Sequence, residues 1–148
     1  MNYDLTISGR IIKGLQIASG TNPDPSLELN NTIFLQKPFF EKAGILHMQN
    51  IFNGTINVDI SPNLFKIISP DHEVTCVWVK NVTETFWLVR TIISYNSNSH
   101  EGYIYYPCPS PVKSHEDNII ELLSEKIPAI EYSKPLSIRV SSQKIQLK

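Results

Sequence analysis

The sequence predicts a mostly β protein that folds as a small closed barrel, and three features of the chain support this. Isoleucine occurs 20 times and alanine three times in 148 residues, and isoleucine, valine and threonine together fill 36 positions. Branching at Cβ stiffens χ1, which disfavours helix and suits the pleated surface of a sheet. Ten prolines and six glycines supply frequent breaks. We therefore expect six to eight short strands, and closure into a barrel would remove their exposed edges.

The first strand is predicted over residues 3–13, where alternation mixes with β-branched residues. Gly9 lies in its middle, and a glycine inside a strand often marks a bulge or a barrel corner. A short strand follows at residues 32–36, and one or two helical turns at residues 37–44. The other predicted strands are residues 54–60, 73–80, 85–95, 102–106, 135–140 and 143–147. The last of these would extend the strand at 135–140.

One α-helix is predicted late in the chain, beginning near Ser114. Ser114 precedes Asp117 by three residues, the spacing of a capping box at a helix N-terminus. Apolar residues then recur at helical spacing and would form a single stripe. The stripe consists of Ile119, Ile120, Leu123 and Ile127. Pro128 would end the helix, so the fold class is a β-barrel with one late α-helix.

Charge and composition exclude several classes of protein. Thirteen Lys and Arg against fourteen Asp and Glu leave a net charge of −1, whereas binding to nucleic-acid phosphates needs clustered excess cations. No apolar run reaches the roughly 18 residues that would span a bilayer, and the N-terminus lacks a secretory pattern. The two cysteines and four histidines show no metal-binding spacing. We expect one cytoplasmic domain over residues 1–148 that binds neither nucleic acid nor a membrane.

Two stretches contain residue types that phosphate and Mg²⁺ chemistry uses. Residues 9–20 form a glycine-bearing turn, and glycines let backbone N–H groups approach a phosphate. Thr55 and Asn57 lie two apart on a predicted strand, so their side chains share one face with Asp59. Hydroxyl and amide oxygens are hard ligands that suit Mg²⁺. An ordinary turn and the polar outer face of a half-buried strand would explain the same residues.

The order and spacing of four motifs resemble the archaeal-type CTP-dependent riboflavin kinase family. The motifs are the glycine turn at 9–15, Gly-Thr-Ile-Asn at 54–57, Gly-Tyr-Ile-Tyr-Tyr-Pro at 102–107 and the segment 115–123. The resemblance covers the chain from about Gly9 to Val140. It implies a six-stranded cradle-loop barrel with Greek-key connections. It also implies transfer of a phosphoryl group from CTP to the ribityl 5′-hydroxyl of riboflavin, which gives FMN.

The resemblance also implies roles for individual residues on the nucleotide side of the site. Thr55 and Asn57 would hold Mg²⁺, as the matching residues of the family do. Gly14, Leu15 and Ala18 would line the loop over the nucleotide phosphates. The expected ligands are therefore Mg²⁺, CTP as phosphate donor, and riboflavin or FMN.

On the flavin side, Glu121 would contact the substrate, and a carboxylate there could orient or deprotonate the attacking hydroxyl. Asp59 is the second candidate for that role. Ser110 would correspond to a flavin-contacting hydroxyl. Lys126 would replace the basic residue that the family has near the nucleotide, as a point charge without the bidentate geometry of arginine.

The chain departs from the family pattern at its phosphate loop. Gln16 puts a side chain where the family has a glycine that lets the backbone approach a phosphate. This departure leaves two other interpretations open. The barrel would then be a non-catalytic module that holds a flavin or a nucleotide, or a structural or interaction module that has lost the nucleotide site.

Overall fold

The computed structural model describes residues 2–13, 32–45, 47–79, 81–108 and 117–148. Within these residues the chain forms nine β-strands, one α-helix and one 3-10 turn. In chain order they are β1 Leu5–Ile12, α1 Thr32–Lys42, the 3-10 turn Met48–Asn50, β2 Ile56–Asp59, β3 Phe65–Ile67, β4 His72–Val79, β5 Val82–Tyr95, β6 Asn98–Cys108, β7 Ile119–Ser124, β8 Pro135–Val140 and β9 Ile145–Leu147.

Six antiparallel strands close into a barrel, as the sequence predicts. Their order is β5-β6-β7-β2-β1-β8, and β8 pairs back with β5 to complete the ring. The link from β7 to β8 passes over β2 and β1, a Greek-key connection. β8 also pairs with β1 along its length, from Leu5 opposite Val140 to Arg10 opposite Pro135. The closing strand therefore joins the two ends of the described chain.

Strand β5 is long enough to change partners along one edge. Its first half pairs with β4, from Val82 to Leu88, and Ile92–Ser94 pair with β8. β4 therefore lies beside the barrel rather than within it. β9 does not extend β8, contrary to the prediction for residues 143–147, but pairs with β3 in a separate two-stranded sheet.

The barrel interior holds the larger of two hydrophobic clusters, and the alternation of each strand fills it. Its fully buried members include Val58, Val89, Ile93, Ile104, Ile120, Leu122, Ile138 and Val140. The second cluster lies outside the barrel, where α1 covers the outer face of β4 to β7. There Phe40 packs edge-on against Phe86, with ring centroids 5.5 Å apart, and Phe86 stacks on Tyr105 at 5.6 Å.

The predicted late helix is wrong, because Ile119–Ser124 form strand β7. Apolar residues stand on both faces of this segment, so the pattern fits a helical stripe and a strand equally well. Ile120 and Leu122 point into the barrel, whereas Glu121 and Leu123 point outward. Backbone pairing with β2 on one side and with β6 on the other stabilises the segment as a strand. Ser114, the predicted N-cap, lies outside the described residues.

The helix of this fold, α1, confirms the helical turns predicted at residues 37–44 as far as Lys42, but it also includes residues 32–36, for which a strand was expected. Its buried positions are Ile33, Gln36, Lys37 and Phe40, which follow helical spacing. Two of those four residues are polar, so the sequence shows no continuous apolar stripe. In the described part of the chain, no helix has the length and apolar character needed to cross a bilayer.

Candidate functional site

Three strands align a polar row on the outer face of the barrel. Asn57 of β2 stands opposite Glu121 of β7, which in turn stands opposite Tyr105 of β6. Directly opposed residues of antiparallel strands point to the same face. The neighbouring Val58 and Ile120 are fully buried in the barrel, so the row faces outward. Two of the predicted site residues, Asn57 and Glu121, are therefore adjacent across a strand pair.

Thr55 joins this row through a hydrogen bond. Its Oγ1 donates to Oε1 of Glu121 at 3.2 Å, although 66 residues separate the two. A hydroxyl has one proton and two lone pairs. Because the proton of Thr55 points to the carboxylate, its lone pairs remain able to bind a cation or accept a proton. We call Thr55, Asn57 and Glu121, which are all half-buried, the outer-face triad.

Asp59 shares the outward direction of this strand but has its own partners. Its carboxylate accepts hydrogen bonds from the Ser61 amide at 2.9 Å, from Ser61 Oγ at 2.6 Å and from Asn118 Nδ2 at 3.2 Å. The bonds from the Ser61 hydroxyl and amide, with a smaller one from Asn118, lower the pKa of Asp59. Asp59 therefore stabilises the turn that follows β2. No hydrogen bond described for this part of the chain joins it to the outer-face triad.

Tyr105 and Gln36 border the triad on the side of α1. The Tyr105 hydroxyl donates to Gln36 Oε1 at 2.8 Å, and both side chains are buried. Burial, and then the negative charge of Glu121, raise the pKa of Tyr105 well above its ordinary value. Tyr105 therefore stays a neutral phenol beside the carboxylate. Gln36 was not among the predicted site residues, although its helical spacing with the buried Ile33 and Phe40 is visible in the sequence.

A short loop leads into Thr55, and we call residues 51–55 the site loop. The Phe52 amide donates to the Ser124 carbonyl at 2.8 Å, which fixes the loop beside the end of β7. The Gly54 amide donates to the Phe52 carbonyl at 2.9 Å, so the loop turns tightly. Oδ1 of Asn53 is buried and has no hydrogen-bond partner among the described residues. Such an oxygen would gain from a ligand that donates to it.

Lys37 of α1 also contacts the site loop. Its Nζ donates to the carbonyl of Ile51, and the side chain is only 9% exposed. Burial lowers the pKa of Lys37, and the nearby charge of Glu41 partly opposes this. The sequence analysis did not single out Lys37, because an isolated lysine in a predicted helical turn carries no distinctive pattern.

The other predicted site residues do not join this cluster in the described structure. Lys126 lies exposed, two residues beyond the end of β7. Gly14, Leu15, Ala18 and Ser110, together with Gln16 of the predicted phosphate loop, lie outside the described residues.

The donor atoms of the outer-face triad suit a hard cation. The described residues contain no group of three or more His, Cys, Asp or Glu side chains that could hold a metal ion. The triad offers instead a hydroxyl, an amide oxygen and one carboxylate. Mg²⁺ prefers oxygen ligands and takes one or two carboxylates together with waters and phosphates. The residues therefore fit Mg²⁺ that is shared with a phosphate ligand, and they do not fit a soft metal.

The fold and the triad define the protein as a small antiparallel β-barrel with an oxygen-rich outer face covered at one side by a helix. No family model matches the chain, and no curated protein matches it either.

Proposed function

We propose that the protein is a phosphotransferase that transfers a phosphoryl group from a nucleoside triphosphate to riboflavin and so forms FMN. CTP is the proposed donor, from the resemblance of the sequence motifs. The observation that carries the proposal is the 3.2 Å hydrogen bond from Thr55 to Glu121 on the face that also presents Asn57. This bond puts neutral oxygen ligands directly beside a carboxylate. Catalysis of phosphoryl transfer depends mainly on such positioning and on stabilisation of charge by the protein.

In this proposal Thr55 and Asn57 hold Mg²⁺ through Oγ1 and the amide oxygen. Mg²⁺, when bound, supplies positive charge to the phosphate oxygens of the donor. The Thr55 proton points to Glu121, so its lone pairs can face the cation. Opposite strand positions fix Asn57 against Glu121, which keeps the three side chains in register.

Glu121 is the proposed acceptor for the proton of the attacking ribityl 5′-hydroxyl. A carboxylate accepts hydrogen bonds and protons through two oxygens with about four lone-pair sites. The 5′-oxygen forms a bond to the γ-phosphorus, the bond from that phosphorus to the bridging oxygen breaks, and the nucleoside diphosphate leaves. The proton passes to Glu121 and later to water.

The test is product formation by the purified protein with riboflavin, Mg²⁺ and either CTP or ATP, with FMN separated by chromatography. We expect FMN with CTP, and a loss of about 100-fold or more for Thr55→Val and for Glu121→Gln. Asn50→Ala, a change at the exposed end of the 3-10 turn, is the matched control and should keep full activity.

Formation of FMN with ATP alone would support the proposed reaction and identify ATP, rather than CTP, as the phosphate donor. No FMN with either nucleotide would refute the proposed activity. Calorimetry with riboflavin, FMN and CTP would then separate the two alternatives, because a ligand-holding barrel binds one of them and a structural module binds none.

A further inference from the structure

Lys37 is the only charged side chain among the buried residues that the structure describes. Its ammonium group makes one described hydrogen bond, to the neutral carbonyl of Ile51. No ion pair joins it to a carboxylate of the described residues, whereas Lys144 pairs with Asp71 at 3.6 Å. Among the described residues, the positive charge of Lys37 is therefore buried without an opposite charge in contact.

Stability does not explain this arrangement. Burying an ammonium group costs several kcal/mol unless it is paired and fully hydrogen-bonded. Glu41 is one helical turn away, but its side chain is exposed and its charge only partly opposes the effect of burial. A methionine at position 37 would cover the same apolar surface without the charge. A buried and uncompensated lysine therefore points to a ligand that carries the missing negative charge.

The position of the ammonium group identifies where that ligand would lie. The Ile51 carbonyl begins the site loop, and Thr55 ends it. Four residues span at most about 14 Å when fully extended, and the turn at Gly54 makes the loop shorter than that. The loop is fixed beside β7, the strand that carries Glu121. Lys37 and the outer-face triad therefore lie at the two ends of one short loop.

We propose that Lys37 binds a phosphate oxyanion of a ligand that also reaches the outer-face triad. This inference rests on the proposed function, because it deepens the description of the same site. An ammonium group has three donors, and Ile51 takes one of them, which leaves two for phosphate oxygens. In this interpretation Lys37, and not the exposed Lys126, supplies the cation of the site.

The phosphate could belong to the nucleotide or to FMN, and the experiment separates these sources. Calorimetry of the full chain uses pyrophosphate in one arm and FMN in the other, without riboflavin. We expect Lys37→Met to weaken the binding of at least one of them about tenfold or more. Lys42→Met, an exposed lysine in the last turn of the same helix, is the control and should bind as the wild type does. Loss confined to pyrophosphate assigns the nucleotide, and loss confined to FMN assigns the product.

Unchanged binding of both ligands by Lys37→Met would overturn the inference, and so would a wild-type protein that binds neither. If Lys37→Met fails to fold, acetylation of the wild type with acetic anhydride replaces it, read by peptide mass. Pyrophosphate or FMN should then reduce the acetylation of Lys37 and leave that of Lys42 unchanged. Equal acetylation of Lys37 with and without these ligands would overturn the inference.

The proposed function can fail independently of this result. A protein that makes no FMN, but loses pyrophosphate binding when Lys37 is replaced, keeps the phosphate site and refutes the kinase activity. A Lys37→Met protein that makes FMN with an unchanged KM for CTP, and binds FMN as the wild type does, refutes the role of Lys37 alone.

Discussion

The phenol of Tyr105 donates a 2.8 Å hydrogen bond to Oε1 of Gln36, which ties the outer face of β6 to the buried side of α1. Tyr105 also stands opposite Glu121 in the register of β6 and β7. One residue therefore contacts the helix that carries Lys37 and borders the strand that carries the carboxylate. This contact links α1 to the strand next to the outer-face triad.

Replacing Tyr105 by phenylalanine should lower the free energy of unfolding by about 1–3 kcal/mol, because Gln36 Oε1 would remain buried without its donor. Urea denaturation measures the effect. The double variant Tyr105→Phe, Gln36→Leu removes both polar partners and should recover part of the loss. A single variant as stable as the wild type would mean that this bond contributes nothing net.

Replacing Asn57 by alanine should weaken Mg²⁺ or Mn²⁺ binding about tenfold or more and leave the unfolding transition nearly unchanged. The side chain is half-buried on the outer face, so its removal leaves the barrel core intact. Mn²⁺ titration followed by electron paramagnetic resonance measures the binding, with Asn50→Ala as the control. Equal Mn²⁺ affinity in wild type and Asn57→Ala would exclude Asn57 as a metal ligand.

The turn held by Asp59 should make stability depend on acid pH. Hydrogen bonds from Ser61 and Asn118 hold the pKa of Asp59 below its ordinary value of 3.8 in the folded state. The charged form is therefore favoured by folding, and its contribution is present above the unfolded pKa and lost as the pH falls through the folded one. The stability difference between wild type and Asp59→Asn should be constant from about pH 7 to pH 5 and shrink below about pH 4. Urea denaturation at each pH measures it, and a difference that grows on acidification would contradict the assignment.

Replacing Gly9 or Gly102 by alanine should destabilise the barrel by about 1–3 kcal/mol each, through overpacking against backbone. A Cβ at Gly9 would lie 2.6 Å from the carbonyl oxygen of Asp59, and one at Gly102 would lie 2.5 Å from that of Leu123. Neither strand can move away without breaking its register. Thermal unfolding measures the loss, with the exposed Ser8→Ala as the control. Wild-type stability in either glycine variant would show that the facing strand moves away from the added methyl group without loss of unfolding free energy.

The barrel was predictable from the sequence because its strands obey a local rule. In β8, buried and more exposed residues alternate, as in Leu136, Ser137 and Ile138, and the segment carries the period of a strand. Strand β7 and the first part of α1, residues 32–36, were not predictable in that way, although helical turns were predicted for residues 37–44. Gln36 and Lys37 interrupt the apolar pattern of α1, and Leu123 is apolar on the outer face because α1 covers it. Both depend on contacts between segments distant in sequence.

The candidate site also combines residues that a local pattern predicts with residues that only contacts between distant segments bring together. Thr55 and Asn57 share one strand, so their common face follows from the two-residue period alone. The approach of Glu121 to Thr55 depends on the pairing of β2 with β7, which no short-range pattern encodes. Lys37 reaches the site only through the packing of α1, so no local pattern in the sequence predicts its burial.

The double pairing of β8 makes closure of the barrel depend on contacts between residues far apart in the chain. Leu5 meets Val140 across β1 and β8, so the ring closes only after nearly all of the described chain has left the ribosome. Until then β1 and β5 each present an edge that β8 will later cover. High contact order of this kind slows folding, to milliseconds or longer in small all-β proteins. Newly made chains would therefore pass through a stage in which those two edges are open to pairing with other chains.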